Sequence, residues 1–164
     1  NYLPNVWIGA TIVTQEEADR DIPKLLAVPA AKRFLSMEPL LGKVLLPEVF
    51  LKRLHFDGKD YDYPDDAGMI DWVIVGGESG PNARPMHPDW ARSLRDQCVA
   101  ARVPFLFKQW GEWIPADQAA VAREANGFSP VREFMPLDGH RMHRVGKKAA
   151  GRLLDGRTWD EVPA

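Results

Sequence analysis

Two glutamates and a lysine stand directly after apolar runs in this sequence, where a chain leaves a buried strand. They are Glu38 in "SMEPLLG", Glu78 in "VIVGGESG" and Lys108 in "FLFKQWGEW". A carboxylate at such a place loses solvation unless a cation or hydrogen-bond donors meet it. It then either ties the rim together as an ion pair, with Lys108 or Arg84 for Glu38, or works as an acid, base or ligand contact. Thr11, Ser36, Gly76, Gly77, Ser79 and Gln109 occupy the same kind of position and are expected to line a ligand site with them.

The two glycines before Glu78 permit close approach of a ligand to the backbone. A loop of this kind could also cradle a phosphate or carboxylate on its N–H groups. Its spacing fits neither the dinucleotide fingerprint nor the P-loop, and the next helix starts about ten residues later, so the phosphate reading is weak. In the following "NARPMHPDW", Arg84 could clamp an anion. His87 is either a proton shuttle or, as the residue before Pro88, a helix cap. Trp110 and Trp113 could stack on a ring, although tryptophans near a strand end more often fill a core.

These residues need strands to carry them. Four apolar runs read as strands, over Asn5–Val13, Lys32–Met37, Asp71–Gly77 and Val103–Trp110. Three are nearly continuous rather than alternating, which suits parallel strands covered on both faces. Between the first two, Thr14 and Glu17 have capping-box spacing, and Pro23 is expected to break the helix into two short pieces. "HPDWARSLRDQCVAARV" is the clearest helix, with Pro88 in its first turn and Trp90, Leu94, Cys98 and Ala101 on one face. A further helix is expected from about Val145 to Leu154, closed by Gly156. The order predicts an α/β fold, either a partial (β/α) barrel or an open, mostly parallel sheet of four core strands with flanking helices. Ligands of such folds bind outside the carboxyl ends of the strands, where the rim residues gather.

With 164 residues and 45% hydrophobic content the chain fits a single domain, interrupted by an irregular excursion over 42–70. That excursion includes "DGKDYDYPDDAG", whose aspartates do not have EF-hand spacing, leaving an isolated calcium site as a minor alternative to a solvated loop. One cysteine, Cys98, excludes an internal disulfide and any cysteine-held zinc or iron–sulfur cluster; on the apolar helix face it reads as buried and inert, and no metal set is recognised. No apolar run approaches a membrane span and nothing resembles a signal peptide, so the chain reads as soluble and cytoplasmic. A net charge of −2 argues against a generally basic nucleic-acid binder. The C-terminal helix region over 141–157 is nevertheless locally basic, and Arg144, Lys147, Lys148 and Arg152 could touch a phosphate backbone.

Four motifs, in order, resemble the C-terminal part of a phage and prophage family of radical-SAM-like proteins with a three-cysteine motif and unknown function. They are "PNVWIGATIVTQEEADRDIP", "RFLSMEPLLG", "DWVIVGGESGPNARPMHPDWARSLRDQCVAARVPFLFKQWGEW" and "RVGKKAAGRLLDGRTWDE". The excursion and the Trp113–Leu137 region fall outside the likeness. The resemblance implies that these are later strands of a partial barrel, with S-adenosylmethionine and an iron–sulfur cluster belonging to a full-length relative. The cluster cysteines of that family lie upstream and are absent here, so the isolated chain is expected to be inactive. Thr11, Ser36 and Glu38 are placed by position to contact the ribose and carboxylate of that cofactor. The "GGE" at Gly76–Glu78 falls on a late strand and is not equated with the family superfold's early amino-binding motif. A strand so near Asn1 suggests a C-terminal piece of a longer protein, and open sheet edges would need a missing N-terminal half or a second copy to cover them.

Three expectations follow: the substrate- and cofactor-lining half of a radical-SAM-like protein; a nucleic-acid-associated binding module; or a hydrolase or lyase using Glu38 and Glu78 as an acid–base pair. The second is checked by electrophoretic mobility shift. A complex with DNA or RNA that weakens with salt, and disappears on Lys147→Glu with Lys148→Glu, is its expected signature; no shift at low salt removes it.

Overall fold

The computed structural model describes residues 4–51, 55–56, 59–60, 68–126, 132–134 and 139–164. In chain order the elements are β1 (Trp7–Thr11), α1 (Gln15–Leu26), β2 (Lys32–Met37), α2 (Glu48–Leu51), β3 (His55–Phe56) and β4 (Lys59–Asp60). There follow β5 (Trp72–Gly76), α3 (Pro88–Ala101), β6 (Phe105–Gln109), β7 (Trp113–Pro115), α4 (Ala116–Asn126), β8 (Arg132–Phe134), β9 (Met142–Arg144) and α5 (Lys147–Ala150). The central layer is a four-stranded, wholly parallel sheet in the order β1-β2-β5-β6, and it does not close into a barrel. A small antiparallel sheet, β7-β9-β8, stands beside it, and β3 pairs with β4 in a separate hairpin.

The α1 start uses the predicted residues. Thr14 Oγ1 accepts from the Glu17 N–H, while Glu17 Oε2 reaches back to the Val13 N–H at 2.8 Å. Pro23 does not split the helix as expected: α1 runs unbroken through it. The carbonyl it leaves without a partner belongs to Asp19, and both residues are exposed, so water can take that carbonyl. α3 starts on His87 and Pro88 as its sequence predicts, and ends at Arg102, which adopts left-handed φ of 59° and returns its N–H to the carbonyls of Cys98 and Val99.

Both crossover helices lie on one face of the sheet. Ala18, Ile22 and Leu25 of α1 and Ala91, Leu94 and Cys98 of α3 share one buried cluster with Leu35, Met37, Val73, Val75, Phe105 and Phe107. Full burial of a large apolar side chain contributes about 1.5–3 kcal/mol, so this face carries most of the hydrophobic stabilisation. On the opposite face no helix of the described residues is packed: Trp7, Gly9, Thr11 and Lys108 are exposed, and Lys32, Phe34, Ser36, Trp72, Ile74 and Leu106 are only half-buried. The expectation of strands buried on both sides is therefore corrected. Continuous apolar runs here mean a buried face plus an apolar open face, where Trp72 makes tilted and edge contacts with Phe34 and Trp7.

The two sheet edges differ. Beside β6 the C-terminal segment runs antiparallel: Leu106 bridges to Asp160, and the Phe107 N–H donates to the Trp159 carbonyl at 3.0 Å. The Trp72 indole N–H donates to the Glu161 carbonyl at 2.8 Å, tying that segment across the open face. β1 pairs only with β2 among the described residues.

The excursion yields the short helix α2, whose Leu51 joins the main core with Val44 and Leu46. The candidate calcium loop lies largely outside the described residues. The helix expected over Val145–Leu154 shrinks to the single turn of α5, because Gly151 takes φ of 68° and ends it. No helix among the described residues is long and apolar enough to cross a membrane.

Burial, with a smaller contribution from the Glu161 charge, pushes the Cys98 thiol up to about 12. A disulfide-forming thiol reagent at pH 8 is expected to label the native protein about a hundredfold more slowly than the denaturant-unfolded chain. Rapid labelling of the native protein would contradict this packing of α3.

Candidate functional site

At the carboxyl end of the parallel sheet, Glu38 is held by two consecutive residues of β6. Its Oε2 meets the Lys108 ammonium at 2.7 Å, and its Oε1 accepts from the Gln109 amide at 2.5 Å. In a regular strand, neighbouring side chains point to opposite faces. Here the β5–β6 register shifts between Val75 and Gly76: Val75 pairs with Phe107, and Gly76 with Gln109. Lys108 is the extra residue of this β-bulge, which re-aims the strand end so that Lys108 and Gln109 converge on one carboxylate.

Glycine at 76 gives this carboxylate room, because a Cβ there would lie 3.0 Å from the Glu38 carboxyl carbon and press on it. The Gln109 amide also donates to Ser79 Oγ at 3.3 Å. Its amide oxygen is buried and finds no hydrogen-bond donor among the described residues. Beside this cluster, on the uncovered face, lies a shallow cleft of about 370 Å³ bordered by Ser36, Glu38, Ile74, Leu106, Lys108 and Arg152.

The glycine loop works differently from its sequence expectation. A Cβ on Gly77 would stand 2.0 Å from the Trp110 carbonyl oxygen, so the backbone that approaches it closely is the protein's own. Its N–H donates to the Gln109 carbonyl, and Glu78 accepts through its carbonyl from the Glu112 N–H. Glu112 then receives the Gly80 N–H on its side chain at 3.2 Å, while Arg144 donates to the Gly80 and Pro81 carbonyls. With Gly77 and Gly80 donors already used, this loop is a poor phosphate cradle.

Glu78 turns to Arg84. Its Oε2 accepts from both the Arg84 backbone N–H (2.7 Å) and Nε (2.8 Å), and its Oε1 from Nη2 at 2.9 Å. Hydrogen bonds from the Arg84 side chain and backbone hold the Glu78 carboxyl below the usual glutamate range. The two glutamates are thus neutralised by different cations, Lys108 for Glu38 and Arg84 for Glu78.

Of the remaining expected residues, Thr11 pairs in register with Ser36 at the end of β1 and is exposed. His87 caps α3, its Nδ1 accepting the Asp89 N–H at 3.1 Å. In the basic tail Arg144 is half-buried and pins the glycine loop, while Arg141, Lys147, Lys148, Arg152 and Arg157 are exposed, Arg152 pairing with Asp160. Trp110 and Trp113 are core residues, their indole N–H groups donating to the Leu153 and Ala83 carbonyls. Sequence reasoning missed Glu112 and Arg144 as the groups that position the Gly77–Pro81 loop. "GEW" after a strand was the signal for Glu112, and nothing local marked Arg144 for this role.

Residues 1–163 match the family described as "Protein of unknown function (DUF5131)". The chain belongs to that family. No curated protein and no solved structure matches it. For this DUF5131 chain, the family match spans all four parallel strands and every residue of the rim.

A group whose folded pKa is depressed stabilises the fold above its unfolded pKa, and that stabilisation disappears as pH falls through the folded value. Arg84→Met is therefore expected to move the Glu78 carboxyl titration, followed by ¹³C NMR, up toward the ordinary range near ~4.3. The stability gap between wild type and variant should be present at neutral pH and close as pH drops below that range. An unchanged Glu78 titration in the variant would show that Arg84 is not what holds the carboxyl down.

Proposed function

We propose that the uncovered sheet face and its Glu38–Lys108–Gln109 rim line the ligand site of a radical-SAM-like protein, completed by further β/α units joined along the free edge of β1. The observation that carries the reading is the polarity of that uncovered face along the strands. Toward the amino ends it is aromatic, with Trp7, Phe34 and Trp72; at the carboxyl ends it presents Thr11, Ser36, Glu38 and Lys108. An apolar floor below a polar mouth is the arrangement inside (β/α) barrels, where ligands sit at the carboxyl end.

The residues do different jobs in this reading. Lys108 offers a cation and Glu38 an anion, so together they suit a zwitterionic ligand head. The Ser36 hydroxyl suits a ribose, and the buried Gln109 oxygen would accept from a ligand donor. This set fits the polar parts of S-adenosylmethionine. It does not fit an iron–sulfur cluster, because the chain's one cysteine, Cys98, is buried under α3 with a raised pKa. Cluster ligands would have to come from other polypeptide, and this chain's share is binding and orientation. The same rim argues against the Glu38–Glu78 acid–base pair, since a carboxylate clamped by Arg84 is a weak proton acceptor near neutrality.

The test uses the protein isolated anaerobically from its native host. An intact mass above 18.5 kDa and saturable S-adenosylmethionine binding are expected, with Lys108→Ala and Glu38→Gln each weakening binding at least ~10-fold. A mass matching this chain alone, no binding, or binding indifferent to both substitutions would overturn the proposal.

A further inference from the structure

Away from the sheet rim, two histidines 53 residues apart in sequence meet at the start of α3. His87 Nε2 lies 3.0 Å from His140 Nδ1, with the rings set at 70° and their centroids 4.2 Å apart. The Asp89 carboxylate flanks the pair, its Oδ2 standing 3.7 Å from His140 Nε2. One ligand atom from each of the three residues falls within 4.8 Å of the others.

The orientation of this cluster is set from outside it. The Asp89 N–H donates to His87 Nδ1, which makes Nδ1 the acceptor and directs Nε2 toward His140. The other Asp89 oxygen, Oδ1, is held at 3.0 Å by Arg92, itself fixed by Asp117 and Asp155. A carboxylate steadied by a cation through its second oxygen, as Asp89 is by Arg92, is a usual support of a metal centre. Nitrogen ligands about 2.0–2.1 Å from a tetrahedral zinc sit roughly 3.3 Å from each other, close to the spacing between these imidazoles. His87 and His140 are half-buried and Asp89 is exposed, so an ion can reach them.

We propose that His87, Asp89 and His140 form a binding site for a divalent transition metal of the zinc class. Two imidazoles and one carboxylate make three protein ligands and leave a fourth position for water or an exogenous ligand. The metal displaces the proton from His87 Nε2; that proton moves to Nδ1 in place of the Asp89 N–H contact, so His87 binds as a neutral imidazole, and the metal ties His140 to the start of α3. This site is independent of the sheet rim and of any S-adenosylmethionine bound there.

The experiment is a zinc titration of the chelator-treated chain in competition with a chromogenic chelator, supported by the visible spectrum of the cobalt-loaded protein. One equivalent of zinc is expected, with a cobalt spectrum of low-coordinate nitrogen and oxygen ligation. His140→Ala should weaken binding at least ~100-fold and Asp89→Asn about tenfold. Because His87 also caps α3, its ligand role is read from His87→Asn, which keeps a good capping residue while removing the imidazole; it too should lose zinc while its melting temperature stays close to that of the wild type. No uptake at roughly 100 µM zinc, or uptake unchanged in both histidine variants, would overturn the proposal and leave the cluster a hydrogen-bonded helix cap.

Discussion

Everything in this molecule hangs on the order of its parallel strands. Because β1, β2, β5 and β6 succeed one another across the sheet without reversal, right-handed crossovers must deliver every helix to the same side. α1 and α3 obey, and α2 adds Leu51 to the same core. The hydrophobic effect is thereby spent on one face, and the other is left for something else. Parallel sheets with a naked face are uncommon on their own, since each strand then shows apolar side chains to water. The C-terminal segment screens one edge through Trp159 and Asp160, which concentrates the remaining exposure along β1 and across Trp7, Phe34 and Trp72.

Onto that layer the chain adds one irregularity with large consequences. The bulge opposite Gly76 turns Lys108 and Gln109 toward a single carboxylate, and glycine at 76 leaves room for it. Immediately beyond, Gly77 and Gly111 let two backbone stretches touch, the Trp110 carbonyl against one and the Glu78 carbonyl against the other. The small antiparallel sheet then supplies Arg144, which with Glu112 fastens the loop after β5. The rim is consequently preorganised by hydrogen bonds within the protein, with Glu78 and Arg84 serving as its outer brace.

Several elements were legible because their causes are local. The capping box at Thr14, Pro88 in the first turn of α3 and the 3-and-4 spacing of Leu94, Cys98 and Ala101 each depend on residues within a turn or two of one another. Readings that depended on surroundings fared otherwise. Pro23 was expected to break a helix, yet the bond it forfeits faces solvent. The apolar runs were read as doubly covered, yet hydrophobic content alone does not say whether a second layer is present. The glycines of "VGGESG" were expected to admit a ligand, and at Gly77 it is the protein's own Trp110 that comes close.

The sequence by itself determined the α/β order, the strand ends and the residue types that stand there, since periodicity and turn chemistry act over a few residues. Tertiary structure decided the partnerships. Glu38 with Lys108 and Gln109, 70 and 71 residues away, and His87 with His140, 53 residues away, are contacts that no local pattern encodes. They arise when strand register, a one-residue bulge and the docking of a second sheet bring distant segments to one place.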